Sequence, residues 1–325
     1  MISLWLDAGG PYGGSAPYTP YRPYSFDISD MTTSLSAVPG SLPEARILAD
    51  SLNTVTGDRL TSFLVRFPRW ILAEINTHRA LSRNTASSRA IPIAKQKARV
   101  LEHPALPVEW GSNKAGMQAG EPIPEGQAQA AEAVWRRMAG QAVEGAGVLE
   151  ALRVHKQITN RVLEPWIWTT SIISGTDWEN FFALRCHPAA QPELQYLADE
   201  MLFAYVESTP ALLEPGEWHL PFGDRLPAGL TVEDQLKVVT ARCARTSYET
   251  FDGEHSTEKD IRLHDDLARD GHMSPFEHPA QAMSASEYSG NFRGWRQYRK
   301  TFPSENRTVN LTALAAERRS LREQR

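Results

Sequence analysis

The sequence predicts an α+β fold, and two kinds of observation carry that prediction. Arg59 to Phe67 reads Arg-Leu-Thr-Ser-Phe-Leu-Val-Arg-Phe, rich in β-branched and aromatic residues and closed by Pro68, which is the pattern of a strand followed by a break. Elsewhere apolar residues recur at helical spacing, as in Leu194, Leu197, Met201, Leu202 and Tyr205 after Pro192. The strand at 59–67 and the chain beyond Glu277 are expected to share one sheet, flanked by the helices.

Taken in order, Met1 to about Gly40 is crowded with Gly, Pro, Ser and Tyr and has no periodicity, so residues 1–44 read as an irregular arm. Trp70 to Arg79 reads as a helix, which puts His78 and Arg79 at its end and Ser82 to Arg89 on the loop that follows. Glu102 to Glu125 is a Pro/Gly-rich surface loop. Gln127 to Lys156 carries Ala131, Val134, Met138, Val143, Val148, Leu149 and Leu152 at roughly helical spacing, which predicts core helices broken at Gly145 and Gly147. Leu213 to Gly229 is another Pro/Gly-rich connection. Thr231 to Ala244 is a helix with Thr231 as N-cap and Asp234 three residues on, and a second helix from Thr257 to Arg269 is stopped by Gly271. Ser274-Pro275-Phe276-Glu277 has the form of a capping box with Pro at the first helical position. Between Tyr288 and Lys300, four basic residues (Arg293, Arg296, Arg299, Lys300) alternate with Phe292, Trp295 and Tyr298. That pattern suits a surface that stacks on a planar ring and pairs with anions, and equally the packed face of a helix. Residues 304–325 read as a charged, solvated tail.

A chain of 325 residues, 41% of them hydrophobic, can bury a substantial core. Its net charge of -5 speaks against a nucleic-acid polymer as partner, while leaving room for a small anion in a local basic pocket. Two distant cysteines, Cys186 and Cys243, form neither a disulfide framework nor a metal-ligand spacing, so no metal is expected and a reducing cytoplasm is the default. No run approaches a membrane span and no signal peptide is evident.

The densest chemistry lies in Ile75 to Ile91. Arg79, Arg83 and Arg89 stand there with His78 and a series of hydroxyl and amide side chains, and the span holds no acidic residue. Guanidinium forks match phosphate oxygens two at a time, and Ser, Thr and Asn add neutral donors. This is an anion site by composition.

His78-Arg79, seven further residues, Ser87 and then Arg89 resemble the signature of the flavin-dependent thymidylate synthases (ThyX), Arg-His-Arg followed by seven residues and Ser. Ser82 and Asn84 also fall where that family often has Ser and Asn. Thr77 stands in place of the first Arg, and Thr85 and Ala86 stand where Glu and Gln are common. Asn180-Phe181-Phe182-Ala183-Leu184-Arg185, continuing to Ala189-Ala190-Gln191, is similar to a second family segment, with Ala189 replacing a frequent His. Arg161-Val162-Leu163-Glu164-Pro165 resembles a third, although an Arg near a helix end, taken alone, more often caps carbonyls than binds substrate. Ala244-Arg245-Thr246-Ser247-Tyr248 and Gly271-His272-Met273-Ser274-Pro275-Phe276-Glu277-His278 resemble segments that the family carries ahead of its Arg-His-Arg motif. Here they come last, so the motif order looks circularly permuted.

The resemblance implies a ThyX-like mixed sheet flanked by helices, with a catalytic domain over 45–303. It also implies the activity: conversion of dUMP to dTMP with FAD as cofactor and with NADPH and methylenetetrahydrofolate as co-substrates. By that resemblance His78, Arg79, Asn180, Ser247, His272, Ser274 and Glu277 bind the cofactor. Glu74, Ser87, Arg89, Arg161 and Arg185 bind the nucleotide, and Arg185 is the catalytic residue, stabilising negative charge on the pyrimidine. A homotetramer with sites at interfaces, in the cytoplasm of a bacterial or phage-infected cell, is implied as well. Two alternatives stay open: a related enzyme that leaves a methyl or hydroxymethyl group on dUMP or dCMP, and a noncatalytic flavin or nucleotide binder.

Overall fold

A computed structural model describes residues 42–246, 256–303, 305–306 and 308–324. The chain divides into units 1–37 and 38–325, and all described residues belong to the second. The arm up to residue 41 lies outside the described residues.

The strands, in chain order, are β1 (Glu44–Asn53), β2 (Arg59–Pro68), β3 (Ser82–Thr85), β4 (Trp168–Gly175), β5 (Ala211–Leu213), β6 (Trp218–His219), β7 (Ala280–Ala282), β8 (Tyr288–Ser289), β9 (Phe292–Arg293) and β10 (Trp295–Gln297). The helices are α1 (Leu72–Ile75), α2 (Ile93–Glu102), α3 (Glu125–Ala151), α4 (Lys156–Thr159), α5 (Glu179–Arg185), α6 (Pro192–Glu207), α7 (Val232–Arg245), α8 (Thr257–Asp270) and α9 (Leu311–Glu323). The main sheet runs β3-β4-β2-β1-β5. It is antiparallel except where β1 meets β5 in parallel. Mixed sheet and flanking helices bear out the α+β prediction.

β2 is the centre of the molecule, and alternation along it assigns its two faces. Phe63, Val65 and Phe67 pack with Ile173 against Trp178, Phe181 and Phe182 of the α5 region and Leu194, Leu197 and Met201 of α6. On the other face Leu64 meets Ile172, Phe222 and Cys243, while Leu60 meets Ala280, Ala282, Phe292 and Trp295. Both faces are covered, which is why this strand reads as a nearly unbroken apolar run.

Between those two apolar clusters the second face is polar. Ser51 Oγ lies 2.8 Å from His219 Nδ1, His219 Nε2 lies 2.9 Å from Ser62 Oγ, Ser62 Oγ lies 2.6 Å from Ser174 Oγ, and Ser174 Oγ lies 2.8 Å from His278 Nδ1. All five residues are buried. This chain ties β1, β2 and β4 to a second sheet, ordered β10-β7-β6. The chain beyond Glu277 therefore does not join β2 in one sheet, as expected, because both edges of β2 are occupied by β1 and β4.

Other expectations change for local reasons. Trp70 to Arg79 is not one helix: a 3-10 turn over Arg69–Ile71 leads into α1, which ends at Ile75. Ile71 and Ile75 are fully buried, and Thr77 Oγ1 donates to Glu74 O at 2.6 Å, closing the C-terminus early. Ser82–Thr85 is a strand, not loop. α3 runs unbroken through Gly145 and Gly147 and buries Ala139, Val143 and Ala146. Val134, Met138, Val148 and the C-capping Leu152 fall on an arc of about 80° on a different side, and they are exposed. Tyr288 to Lys300 is strand, turn and 3-10 helix in place of a helical face. Gly290 and Gly294 hold φ of 69° and 72°, and a Cβ on Gly294 would come within 2.2 Å of Asp58 Oδ2.

The predicted helix signals at α6, α7 and α8 hold. Pro192 opens α6, Thr231 Oγ1 accepts from Asp234 N at 3.1 Å, and Gly271 ends α8 at φ 76°. Among the described residues no helix is long and apolar enough to cross a membrane. Both cysteines are free. α9 lies in the charged tail and is exposed along its length.

Burial pushes the imidazoles of His219 and His278 down to about 3. Both are neutral in the fold, whereas in the unfolded chain they take up protons below about 6.5. A depressed folded value means stability that is complete above the unfolded value and is lost as pH falls toward the folded one. Urea midpoints should therefore drop steadily from about pH 6.5 downward, by up to ~1.4 kcal/mol per pH unit for each histidine. A Ser51→Ala, Ser62→Ala double variant should begin from a lower midpoint.

Candidate functional site

The site is built around β3, the edge strand of the main sheet. Its inner side pairs with β4, from Ser82 opposite Ser174 to Thr85 opposite Ser171. Its remaining polar groups reach three remote segments. Ser82 Oγ accepts from Gln297 Nε2 at 2.9 Å and from Asn291 Nδ2 at 3.2 Å. Arg83 O accepts from Ser274 Oγ at 3.0 Å, and Asn84 Nδ2 donates to Cys243 O at 2.6 Å and to Thr246 Oγ1 at 3.2 Å. Ser274 stands at the N-cap position of the 3-10 turn Pro275–Glu277, with Pro275 opening the turn as expected, but its side chain makes no cap bond. Its hydroxyl is spent on β3 instead.

His78 sits just beyond α1 with its ring edge-on to Phe181, centroids 4.9 Å apart. Arg185, in the last turn of α5, donates from Nε to His78 Nε2 at 2.7 Å and from Nη2 to Thr77 Oγ1 at 3.1 Å. Arg83 Nη1 donates to His78 O. Burial, then the Arg185 and Arg83 guanidinium groups, holds the His78 imidazole down at about 4. Arg83 is itself lowered by burial, with Glu277 opposing the shift. The Glu277 carboxylate is paired with Arg299, whose Nε also reaches Glu305 Oε2 at 3.2 Å.

Of the sequence-predicted cofactor residues, the structure gathers His78, Ser274 and Glu277 into this network. Arg79 and His272 are exposed beside it in sequence, and Asn180 is exposed on α5, five residues before Arg185. Ser247 lies outside the described residues. Its neighbour Thr246 is the residue held by Asn84. Glu74 Oε2 is buried with no hydrogen-bond partner among the described residues, an oxygen that calls for a donor.

Arg161, Ser87 and Arg89 do not join His78. Arg161 belongs to a second cluster beyond the end of β3, five residues and ~16 Å of extended chain past Arg83, and Ser87 and Arg89 flank its Ser88 in sequence. Its centre is Glu164 Oε1, which accepts from Ser88 Oγ at 2.6 Å and Arg161 Nη1 at 2.7 Å and lies 3.1 Å from Arg69 Nε. Asn160 Nδ2 holds the same turn through Ser88 O at 2.7 Å and Ile91 O at 2.9 Å. Arg89 is exposed, and Arg161 is half exposed with one edge of its guanidinium on Glu164. Arg161 is therefore neither a carbonyl cap nor part of the His78 group. Glu164 went unread in sequence, although its i,i+3 spacing from Arg161 was a visible signal.

The family profile described as thymidylate synthase complementing protein matches residues 59–211. The likeness is confined to that span. The matched span holds the His78 motif, β4 and the Asn180 to Arg185 segment, and it stops before the Ala244 to Tyr248 and Gly271 to His278 segments. Two crystal structures are similar to part of the chain, both of a UMP/dUMP methylase PolB from Streptomyces cacaoi. The one bound with 5-Br UMP is 16% identical, covers 52% of this chain and 91% of that one, and has a TM-score of 0.44. The one bound with 5-Br dUMP is 20% identical, covers 46% and 67%, and has a TM-score of 0.38. No curated protein matches the sequence.

Within the matched span Ser82 is the shared acceptor for two amides. Ser82→Ala would leave Gln297 Nε2, on a residue only 2% exposed, with its longer bond to Glu277 O at 3.3 Å alone. The loss should be about 0.5–1.5 kcal/mol in chemical denaturation, the net range for one intramolecular hydrogen bond. A loss within the scatter of a surface substitution would show that β3 is held by its ladder to β4 alone.

Proposed function

We propose that the protein is a flavin-dependent thymidylate synthase that methylates dUMP to dTMP, taking a one-carbon unit from methylenetetrahydrofolate and reducing equivalents from NADPH through FAD. The observation that carries this reading is the Ser274 to Arg83 hydrogen bond. It ties a segment 191 residues away in sequence to Arg83, five residues after His78, and so supports a single site drawn from both segments. The same contact supports a circularly permuted order of the family's segments, with Ser247 completing the set.

The residues suit FAD by their donor chemistry. Arg79 and Asn180 are exposed donors, and the one acid in the group, Glu277, is already neutralised by Arg299, so a pyrophosphate and a carbonyl-rich ring meet donors without repulsion. Bound there, FAD supplies the hydride. His78, Arg79, Asn180, Ser247, His272, Ser274 and Glu277 hold it. Arg185 keeps the Nη1/Nη2 end of its guanidinium for the pyrimidine, where negative charge develops, because its Nε/Nη2 edge is committed to His78 and Thr77. Ser87, Arg89 and Arg161 form the anion end for the nucleotide phosphate, with Glu164 fixing Ser88 and Arg161 in place. Glu74 Oε2 accepts from the substrate.

A homotetramer with its sites at subunit interfaces completes the proposal. The exposed Val134, Met138 and Val148 stripe on α3 supports an oligomer, since an apolar strip of that length on a soluble helix marks a contact surface.

Incubation of the protein with dUMP or dCMP, methylenetetrahydrofolate, FAD and NADPH, followed by mass analysis, tests the reaction. The expected product is dTMP from dUMP. A hydroxymethyl product or turnover of dCMP alone would replace this reading with that of a related pyrimidine-modifying enzyme, and FAD binding without any product would leave a noncatalytic binder. Light scattering tests the assembly: a species several times the 36.3 kDa chain mass is expected, and a monodisperse monomer that binds FAD tightly would contradict it.

A further inference from the structure

We infer that Arg185 is the positioning residue that locks His78 into a single protonation state and tautomer: neutral, with its proton on Nδ1. Arginine carries five donors and no acceptor and stays charged at every accessible pH. Its Nε can approach an imidazole nitrogen to 2.7 Å only if that nitrogen offers a lone pair. His78 Nε2 is therefore the acceptor. In a neutral ring the proton must then sit on Nδ1. Among the described residues no other donor or acceptor competes for the ring, which otherwise packs edge-on against Phe181.

The grip on Arg185 makes the tautomer persist. Thr77 Oγ1 accepts from Arg185 Nη2 and in turn donates to Glu74 O, so the hydrogen bonds run outward from Arg185, to His78 on one side and through Thr77 to the Glu74 carbonyl on the other. Arg83 fixes the backbone of His78 from the other side through the carbonyl. Protonating Nε2 would break the 2.7 Å bond and set an imidazolium against a guanidinium. The depressed titration of His78 is a consequence of this geometry.

The chemical result is a committed donor. Nδ1–H has no partner among the described residues and can only donate, so it selects an acceptor atom on the ligand: a carbonyl oxygen or an unprotonated ring nitrogen. It also discriminates against an N–H at the same place. The tautomer stands on the ligand-free protein. Its use toward a flavin or pyrimidine acceptor rests on the function proposed above.

Nitrogen-15 NMR of the histidine-labelled protein without ligands, with His78 assigned by His78→Gln, reads the tautomer directly. His78 should show a protonated Nδ1 and an unprotonated Nε2, and it should remain so down to about pH 5. Arg185→Met, which removes donor and charge together, should let the tautomers mix and should raise the titration midpoint by more than about one unit. Thr77→Val should give a smaller shift in the same direction. An Nε2–H tautomer in the unaltered protein, or a midpoint unmoved in a folded Arg185→Met, would overturn the inference. If Arg185→Met does not fold, the unaltered protein and Thr77→Val still decide it. A parallel FAD titration separates the two proposals: the stated tautomer without FAD binding upholds this one and contradicts the flavin reading.

Discussion

The four residues Ser82 to Thr85 are the constraint on which the site depends. As an edge strand, β3 would expose unpaired polar groups. Here the backbone carbonyl of Arg83 accepts from the Ser274 turn, while the Asn84 side chain holds the end of α7 and the Ser82 side chain holds the β8 to β10 region. Contacts separated in sequence by 159 to 215 residues thus converge on a strand four residues long. The convergence explains the residue types: short Ser and Asn side chains satisfy partners close to the backbone, and Arg83 carries its charge back toward His78.

The rest of the fold delivers those partners to the right place. The main sheet's second face alternates an apolar cluster at Leu60, the polar chain at Ser62 and an apolar cluster at Leu64. A shift of one residue in β2 would set Phe63 against the imidazoles of His219 and His278, so the polar chain fixes register as well as holding the two sheets together. His278 immediately follows Glu277. The interaction that anchors the second sheet therefore also sets the height of the Ser274 to Glu277 turn over β3. His278 Nε2 has no partner among the described residues, and burial makes that a cost carried by the surrounding packing.

What could be read from the sequence follows from how local each signal is. Helix signals contained within one turn survived into the structure: Thr231 with Asp234, Pro192 at the start of α6, Gly271 at the end of α8. The β2 strand was legible because burial on both faces leaves a continuous apolar imprint. Signals that depend on remote partners were not. Ser274 looks like a cap because its sequence neighbours have that form, and only the presence of Arg83 O 3.0 Å away redirects its hydroxyl. β3 reads as loop because four polar residues acquire strand geometry from β4 and not from their own propensity. The apolar spacing of α3 was real, but the larger residues Val134, Met138 and Val148 lie off the face that packs inward. In the candidate site, residue resemblance located His78 and Arg185, while their mutual hydrogen bond and the separate Glu164 cluster required the fold.

The central claim is that the His78 motif and the Ser274 to Glu277 turn, far apart in the chain, form one flavin-binding surface. Hydrogen–deuterium exchange with and without FAD addresses it directly, because backbone protection is read separately for each stretch of sequence. The account predicts that FAD slows exchange in peptides covering 76–85 and 271–278 together, at the same FAD concentration, with Ser274→Ala weakening both. Protection of one stretch with the other unchanged would contradict it.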